Sequence, residues 1–129
     1  MRQSFFSFTI EGDGLDTVAA REAIDLPCEL FVKGQGTFTK NGREVVSRST
    51  RWVYSFKALG RADVFLTKHL KVIAKKMPIL SDYIKKYKVT IDFVIYEDRV
   101  SKDYLIFSKT MINLLNEIGV PFLIAFNPY

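Results

Sequence analysis

Phe6, Phe8 and Ile10 alternate with Ser7, Thr9 and Glu11. A period of two puts the two sets on opposite sides of a strand, one side buried and one wet. Gly12-Asp13-Gly14 ends that strand. Asp16 is placed to cap a short helix running to about Ile24, and Pro27 lies beyond its end. Leu30-Phe31-Val32 opens a second strand, loosened by Gly34 and Gly36. Asn41-Gly42 tolerates positive φ at both residues, so it predicts a type I′ hairpin turn between Thr37-Phe38-Thr39 and Val45-Val46. The return strand reads as a long one, with Thr50, Trp52, Tyr54 and Phe56 facing a core and Arg51, Val53, Ser55 and Lys57 turned away.

Beyond residue 60 the period changes. Leu66, His69, Leu70, Ile73 and Met77 recur at threes and fours, one apolar stripe of a helix that Asp63 can cap. Lys68, Lys71 and Lys75 take its other side. Pro78 breaks or restarts the helix, and Leu80, Ile84 and Tyr87 form a second short stripe. Val89, Ile91, Phe93 and Ile95 alternate as a strand, and Glu97-Asp98-Arg99 turns the chain. A long helix opens at Ser101 or Lys102, turns Leu105, Met111, Leu115 and Ile118 inward, and stops at Gly119 before Pro121. Phe122 to Phe126 is apolar on both faces, which predicts a central strand or a sheet whose second face is covered. The order β-α-β-β-α-(α)-β-α-β predicts an α+β fold, a mixed or antiparallel sheet with helices mainly on one face. Its first six elements read as a ferredoxin-like split βαβ unit.

With 129 residues, 48% hydrophobic and 14% aromatic, the chain suits one domain over residues 1–129. It should bury roughly 65% of its unfolded surface. A disordered tail and a disulfide-stapled miniprotein are excluded. Cys28 is the single cysteine, which rules out an internal disulfide and fits a reducing compartment. The longest uncharged stretch, Ile118 to Tyr129, is twelve residues, where a spanning helix needs about 20. The N-terminal run is a poor signal peptide. The expectation is a soluble cytoplasmic protein without a membrane partner.

The net charge of +5 is local: residues 61–88 carry eight basic and two acidic side chains. Such a patch attracts phosphate or an acidic protein surface, although the solvated face of a helix is normally charged in any case.

Short motifs along the chain carry a resemblance. Phe8-Thr9-Ile10-Glu11-Gly12-Asp13-Gly14-Leu15-Asp16, then Leu26-Pro27 and Lys33-Gly34, Trp52, Lys68-His69-Leu70 and the closing Tyr129 resemble the bacterial domain of unknown function family numbered 4279. Asp25 departs from the pattern, where that family often has Gly, and the acidic residues usual before its second helix are missing here. The resemblance implies a fold and a bacterial setting, and no activity.

Candidate chemistry is sparse. Glu11, Asp13 and Asp16 cluster at a turn but lack the further ligands of a calcium loop; turn hydrogen bonds and a helix cap explain them. His69 is the only histidine and sits on an apolar stripe, which reads as a core residue. Asp25 and Glu29 near Cys28 should raise its thiol pKa. Phosphate loops, GxSxG and HExxH are absent from the sequence. No segment matches an RNA-binding RNP1 pattern, and Trp52 and Tyr54 point away from Arg51. No catalytic residue, metal site or cofactor is expected. The favoured reading is a protein-binding module, an immunity-type protein being one version. Its contact residues would be Lys40, Asn41 and Arg43 at the hairpin tip and Lys68, Lys71, Lys75 and Lys76 on the basic helix. A weak nucleic-acid contact through residues 61–88 is the alternative, and an enzyme using the Glu11 cluster is the least favoured. An open second sheet face would suit a homodimer.

Overall fold

The computed structural model describes residues 3–97 and 107–128. In chain order these form β1 (Gln3–Glu11), α1 (Thr17–Ile24), β2 (Glu29–Phe31), β3 (Gly36–Phe38), β4 (Glu44–Val46), β5 (Arg51–Leu59), α2 (Ala62–Lys75), α3 (Met77–Lys86), β6 (Lys88–Glu97), α4 (Lys109–Ile118) and β7 (Phe122–Pro128). A five-stranded sheet has the order β2-β5-β1-β6-β7, and β3 and β4 form a separate two-stranded sheet.

The alternation in β1 pays out across both its neighbours. Phe8 faces Tyr54 on β5 and Ile91 on β6, and Ile10 faces Trp52 and Val89. Direct partners share a face, so these side chains make one continuous apolar layer. Phe6, Phe8, Ile10, Trp52, Ile91, Phe93 and Ile95 are fully buried in it. Ala20 and Ile24 of α1, Leu66, Leu70 and Ile73 of α2, Leu80 of α3 and Met111 and Ile118 of α4 belong to the same core. The fold is therefore α+β, with the helices on one face of a mixed sheet.

β1 is antiparallel to both β5 and β6, and β2 is antiparallel to β5. It follows that β1 and β2 are parallel with β5 between them, and β5 and β6 are parallel with β1 between them. Two interlocked split βαβ units of this kind are the ferredoxin-like arrangement. Two additions complete it: the β3–β4 ribbon inserted between β2 and β5, and α4 with β7, which runs parallel to β6.

Several expectations are corrected by the structure. The return strand is not continuous but divides into β4 and β5. The hairpin register nevertheless survives the break: Leu30 faces Trp52 in the large sheet, and Thr37 faces Val45 in the small one. Gly34 N donates to Ser47 O and Ser47 N to Gln35 O, both at 3.0 Å, so the two sheets are one hairpin interrupted near Lys33 and Ser49. The turn is not type I′. Thr39 N donates to Arg43 O (2.8 Å) and Gly42 N to Thr39 O (2.9 Å), which encloses Lys40, Asn41 and Gly42. Only Gly42 has positive φ (75°), as a three-residue hairpin loop requires.

Asp63 does not cap α2. Arg61 holds that position, and Asp63 in the first turn pairs with Arg61 Nη2 at 2.6 Å. Phe56 is 36% exposed rather than in the core. β7 is an edge strand, with Leu123 and Phe126 exposed, because α4 returns the chain to the outside of β6. α4 starts after Ser108, whose hydroxyl accepts from Met111 N; the start proposed at Ser101 or Lys102, the inward Leu105, the turn at Asp98-Arg99 and Tyr129 lie outside the described residues. Asp16 caps α1 as expected, its Oδ1 accepting from Ala19 N at 3.0 Å. No helix among the described residues is long and apolar enough to cross a membrane.

Candidate functional site

The β3–β4 ribbon leaves the main sheet as an arm. Every residue of both its strands is exposed. Phe38 is 75% exposed, Val46 53% and Val45 48%. Isolated exposed apolar residues are ordinary, but Phe38 and Val46 share one face of this short ribbon as a small patch, with Val45 on the other. Pairing places Phe38 opposite Glu44, Gly36 opposite Val46 and Thr37 opposite Val45, so both faces of the arm carry apolar groups. Lys40, Asn41 and Arg43 are exposed at its tip, as the hairpin reading requires. Residues 33–48 hold Lys33, Lys40, Arg43 and Arg48 against the single acid Glu44.

The second set of candidate residues is elsewhere. Lys68, Lys71 and Lys75 are exposed on the side of α2 opposite Leu66, Leu70 and Ile73. Lys76 is half-buried at the junction of α2 and α3. α2 packs on β1, α3 and α4, whereas the arm springs from the β2–β5 side. The fold does not bring the tip and the lysine stripe into one cluster.

The outer face of the sheet has no described helix over it. Here β1 and β5 place Phe5, Ser7, Thr9, Val53, Ser55 and Lys57, with Ser7 buried and Phe5 the one aromatic of the six, not the aromatic pair on which RNA-binding sheets of this topology stack bases. Where the arm departs, a cavity of about 510 Å³ opens between Phe31 and Arg51 of the sheet and Val45 and Val46 of the arm, with Arg48 and Ser47 on its border. Arg51 sits over the Phe31 ring at 4.4 Å. On its other side a hollow of about 320 Å³ is lined by Glu11, Lys88, Thr90 and Asp92. Glu11 is the cross-strand partner of Arg51, yet its Oε2 accepts from Ser49 Oγ at 2.8 Å.

Sequence reasoning placed Arg51 on the wet face but found no aromatic beside it. Phe31 supplies that aromatic from the next strand. No local signal marks the pair: Phe31 shares the face of Arg51 only because β2 pairs with β5 so that Leu30 faces Trp52.

A third cavity, about 530 Å³, lies between α1 and α3 and is bordered by Asp16, Asp82, Tyr83, Lys86 and Tyr87. Burial, with the nearby Tyr87 and Asp16, pushes the Tyr83 phenol above its ordinary pKa, so it stays protonated and is a poor nucleophile. Cys28 is half-buried; burial raises its thiol pKa, outweighing Arg21 and Trp52, which lower it. The direction is the one expected, but the cause is burial and not the flanking carboxylates.

His69 is a core residue. Its ring stacks between Phe6 (5.3 Å, 19°) and Phe56 (4.9 Å, 20°), and Nδ1 is hydrogen-bonded with the Tyr54 hydroxyl at 2.7 Å. Burial and the adjacent Lys68 bring its pKa from 6.5 to about 4. Of the acidic cluster, Asp16 caps a helix, Glu11 holds Ser49, and Asp13 is exposed. Among the described residues no group of metal-ligating side chains converges. No protein-family model, curated protein or solved structure matches this chain.

Proposed function

We propose that this protein is a non-catalytic binding module that docks an acidic-surfaced protein through the β3–β4 arm. The observation that carries the reading is the exposed apolar trio Phe38, Val45 and Val46 on a ribbon whose tip bears Lys40 and Arg43. Covering one such large side chain is worth about 2 kcal/mol. Flanking cations steer an acidic partner and fix its register. Residues held on a projecting loop of a rigid sheet are well placed for recognition. The outer faces of β1 and β5 carry the single aromatic Phe5 and no stacking pair, which favours a protein over a nucleic acid as the partner. The Lys68, Lys71 and Lys75 stripe then serves mainly as a solvated face. Neutralising an acidic-surfaced protein in the manner of an immunity protein is one form of this role, set in a bacterial cytoplasm.

The test is capture from lysate of the protein's own source, with and without nuclease. Tagged wild-type chain is compared with an arm variant (Phe38→Ser, Lys40→Glu, Arg43→Glu) and a helix variant (Lys68→Glu, Lys71→Glu, Lys75→Glu). The expected result is one stoichiometric protein that survives nuclease and the helix changes and is lost with the arm variant. The arm variant should melt within about 3 °C of wild type, because its sites are exposed. Capture that survives the arm changes refutes the proposal, as does capture that disappears with nuclease.

A further inference from the structure

Arg51 has a strong donor group and, among the described residues, no acceptor for its Nε. Its guanidinium lies over the Phe31 ring, which leaves the in-plane N–H groups free at its edge. That Nε is buried. Its cross-strand partner Glu11 accepts from Ser49 Oγ, and Glu11 and Asp92 line the neighbouring hollow that Arg51 also borders. A buried donor left without an acceptor costs stability unless something from outside the chain completes it. The space beside it has the right character. The cavity of about 510 Å³ has Arg48 as a second guanidinium and Ser47 as a hydroxyl donor, while Phe31, Val45 and Val46 give it an apolar wall; among the described residues none that lines it is acidic. A volume of that size is within the range of small-molecule sites. Guanidinium forks match carboxylate and phosphate oxygens two at a time.

We propose that the cavity at the base of the arm binds a small ligand that carries a carboxylate or phosphate on an apolar body. Arg51 grips the oxyanion through its edge, Arg48 adds charge, and Phe31 with the two valines holds the body. This site goes beyond the protein-docking role; it shares Val45 and Val46 with the docking surface but none of Phe38, Lys40 and Arg43. The arm's tip residues form no part of the cavity, so loss of protein capture and loss of ligand binding are separate results.

The test is calorimetric titration of the full chain with phenyl phosphate and with phenylacetate, using phenylacetamide as the neutral comparison and inorganic phosphate as the anion without a body. One or both aromatic anions should bind with a dissociation constant below about 1 mM. Phenylacetamide and inorganic phosphate should each bind at least about tenfold more weakly than the better of them. The preferred aromatic anion identifies phosphate or carboxylate as the recognised group. Arg51→Gln should weaken binding by about tenfold or more, and Arg51→Lys, which keeps the charge but not the fork, should weaken it as well. Should Arg51→Gln fail to fold, amide shifts of the wild-type protein report instead, and those of Phe31, Ser47 and Arg51 should move with the anion. The proposal is overturned if neither aromatic anion saturates by about 10 mM, if the amide binds as well as the acid, if folded Arg51→Gln binds like wild type, or if the shifts move elsewhere.

Discussion

Lowering the pH should destabilise this protein through His69. The ring is 4% exposed and enclosed by Phe6, Tyr54, Phe56 and Phe65. Its pKa falls from 6.5 to about 4, with burial as the main cause and Lys68 as the second. The unfolded chain therefore takes up a proton below 6.5, and the folded chain does not until near 4. Stability is fully present above the unfolded value and is lost as pH falls between the two. At about 1.4 kcal/mol for each factor of ten in proton affinity, the whole loss is roughly 3 kcal/mol, and about 2 kcal/mol of it should be gone between pH 7 and pH 5. That is a large share of the roughly 5–15 kcal/mol a domain possesses. The assay is urea unfolding at pH 7, 6 and 5 for wild type and for His69→Phe. Phe keeps a flat ring between Phe6 and Phe56 but cannot titrate. It orphans the Tyr54 hydroxyl, which costs about 1–3 kcal/mol at every pH and so cancels in the slope. Exposed carboxylates contribute equally to both proteins. Wild type should lose about 2 kcal/mol more than the variant over this range. Parallel slopes for the two proteins would refute the account of a neutral, buried His69.

Gly12 has no room for a methyl group: a Cβ there would lie 2.7 Å from Tyr87 Cδ1. Gly12→Ala should destabilise by about 1–3 kcal/mol, and adding Tyr87→Ala should recover part of the Gly12-specific loss in a double-mutant cycle of chemical unfolding. Asp16→Ala removes the carboxylate that caps α1 and should cost about 1 kcal/mol, whereas Asp16→Asn should cost much less, measured the same way. β7 is an uncharged edge with Leu123 and Phe126 exposed, the kind of strand that pairs with a second copy. Light scattering should show concentration-dependent association for wild type that Leu123→Lys with Phe126→Lys reduces; a wild-type chain that stays monomeric at high concentration removes this edge from consideration.

The candidate site was legible only in part. The arm could be read from glycines at 34 and 36 and the Asn41-Gly42 pair, because turns depend on local backbone freedom. Its loop type could not. One residue of added length converts the turn, and that choice is settled by where Thr39 and Arg43 meet across the ribbon. The lysine stripe of α2 was equally readable from spacing. That it stands apart from the arm depends on topology, which spacing does not contain. The Arg51–Phe31 pair escaped for the same reason: the residues are twenty positions apart in the chain and become neighbours only when β2 pairs with β5.

The sequence by itself determined where β1, α2 and β6 lie and which side of each is buried. Period two in Phe6–Ile10 and Val89–Ile95, and period three to four in Leu66–Ile73, are properties of single elements. Backbone geometry turns each one directly into an apolar face. Tertiary structure decided what those faces meet. Phe122–Phe126 is apolar enough for the middle of a sheet, yet it lies at the edge, because α4 carries the chain outward past β6. Phe56 continues the alternation of Trp52 and Tyr54 and is still 36% exposed, because it lies toward the end of β5, where the covering layer thins. Strand pairing is a contact between distant segments, chosen by the combined burial of all elements, and no single segment's pattern contains it.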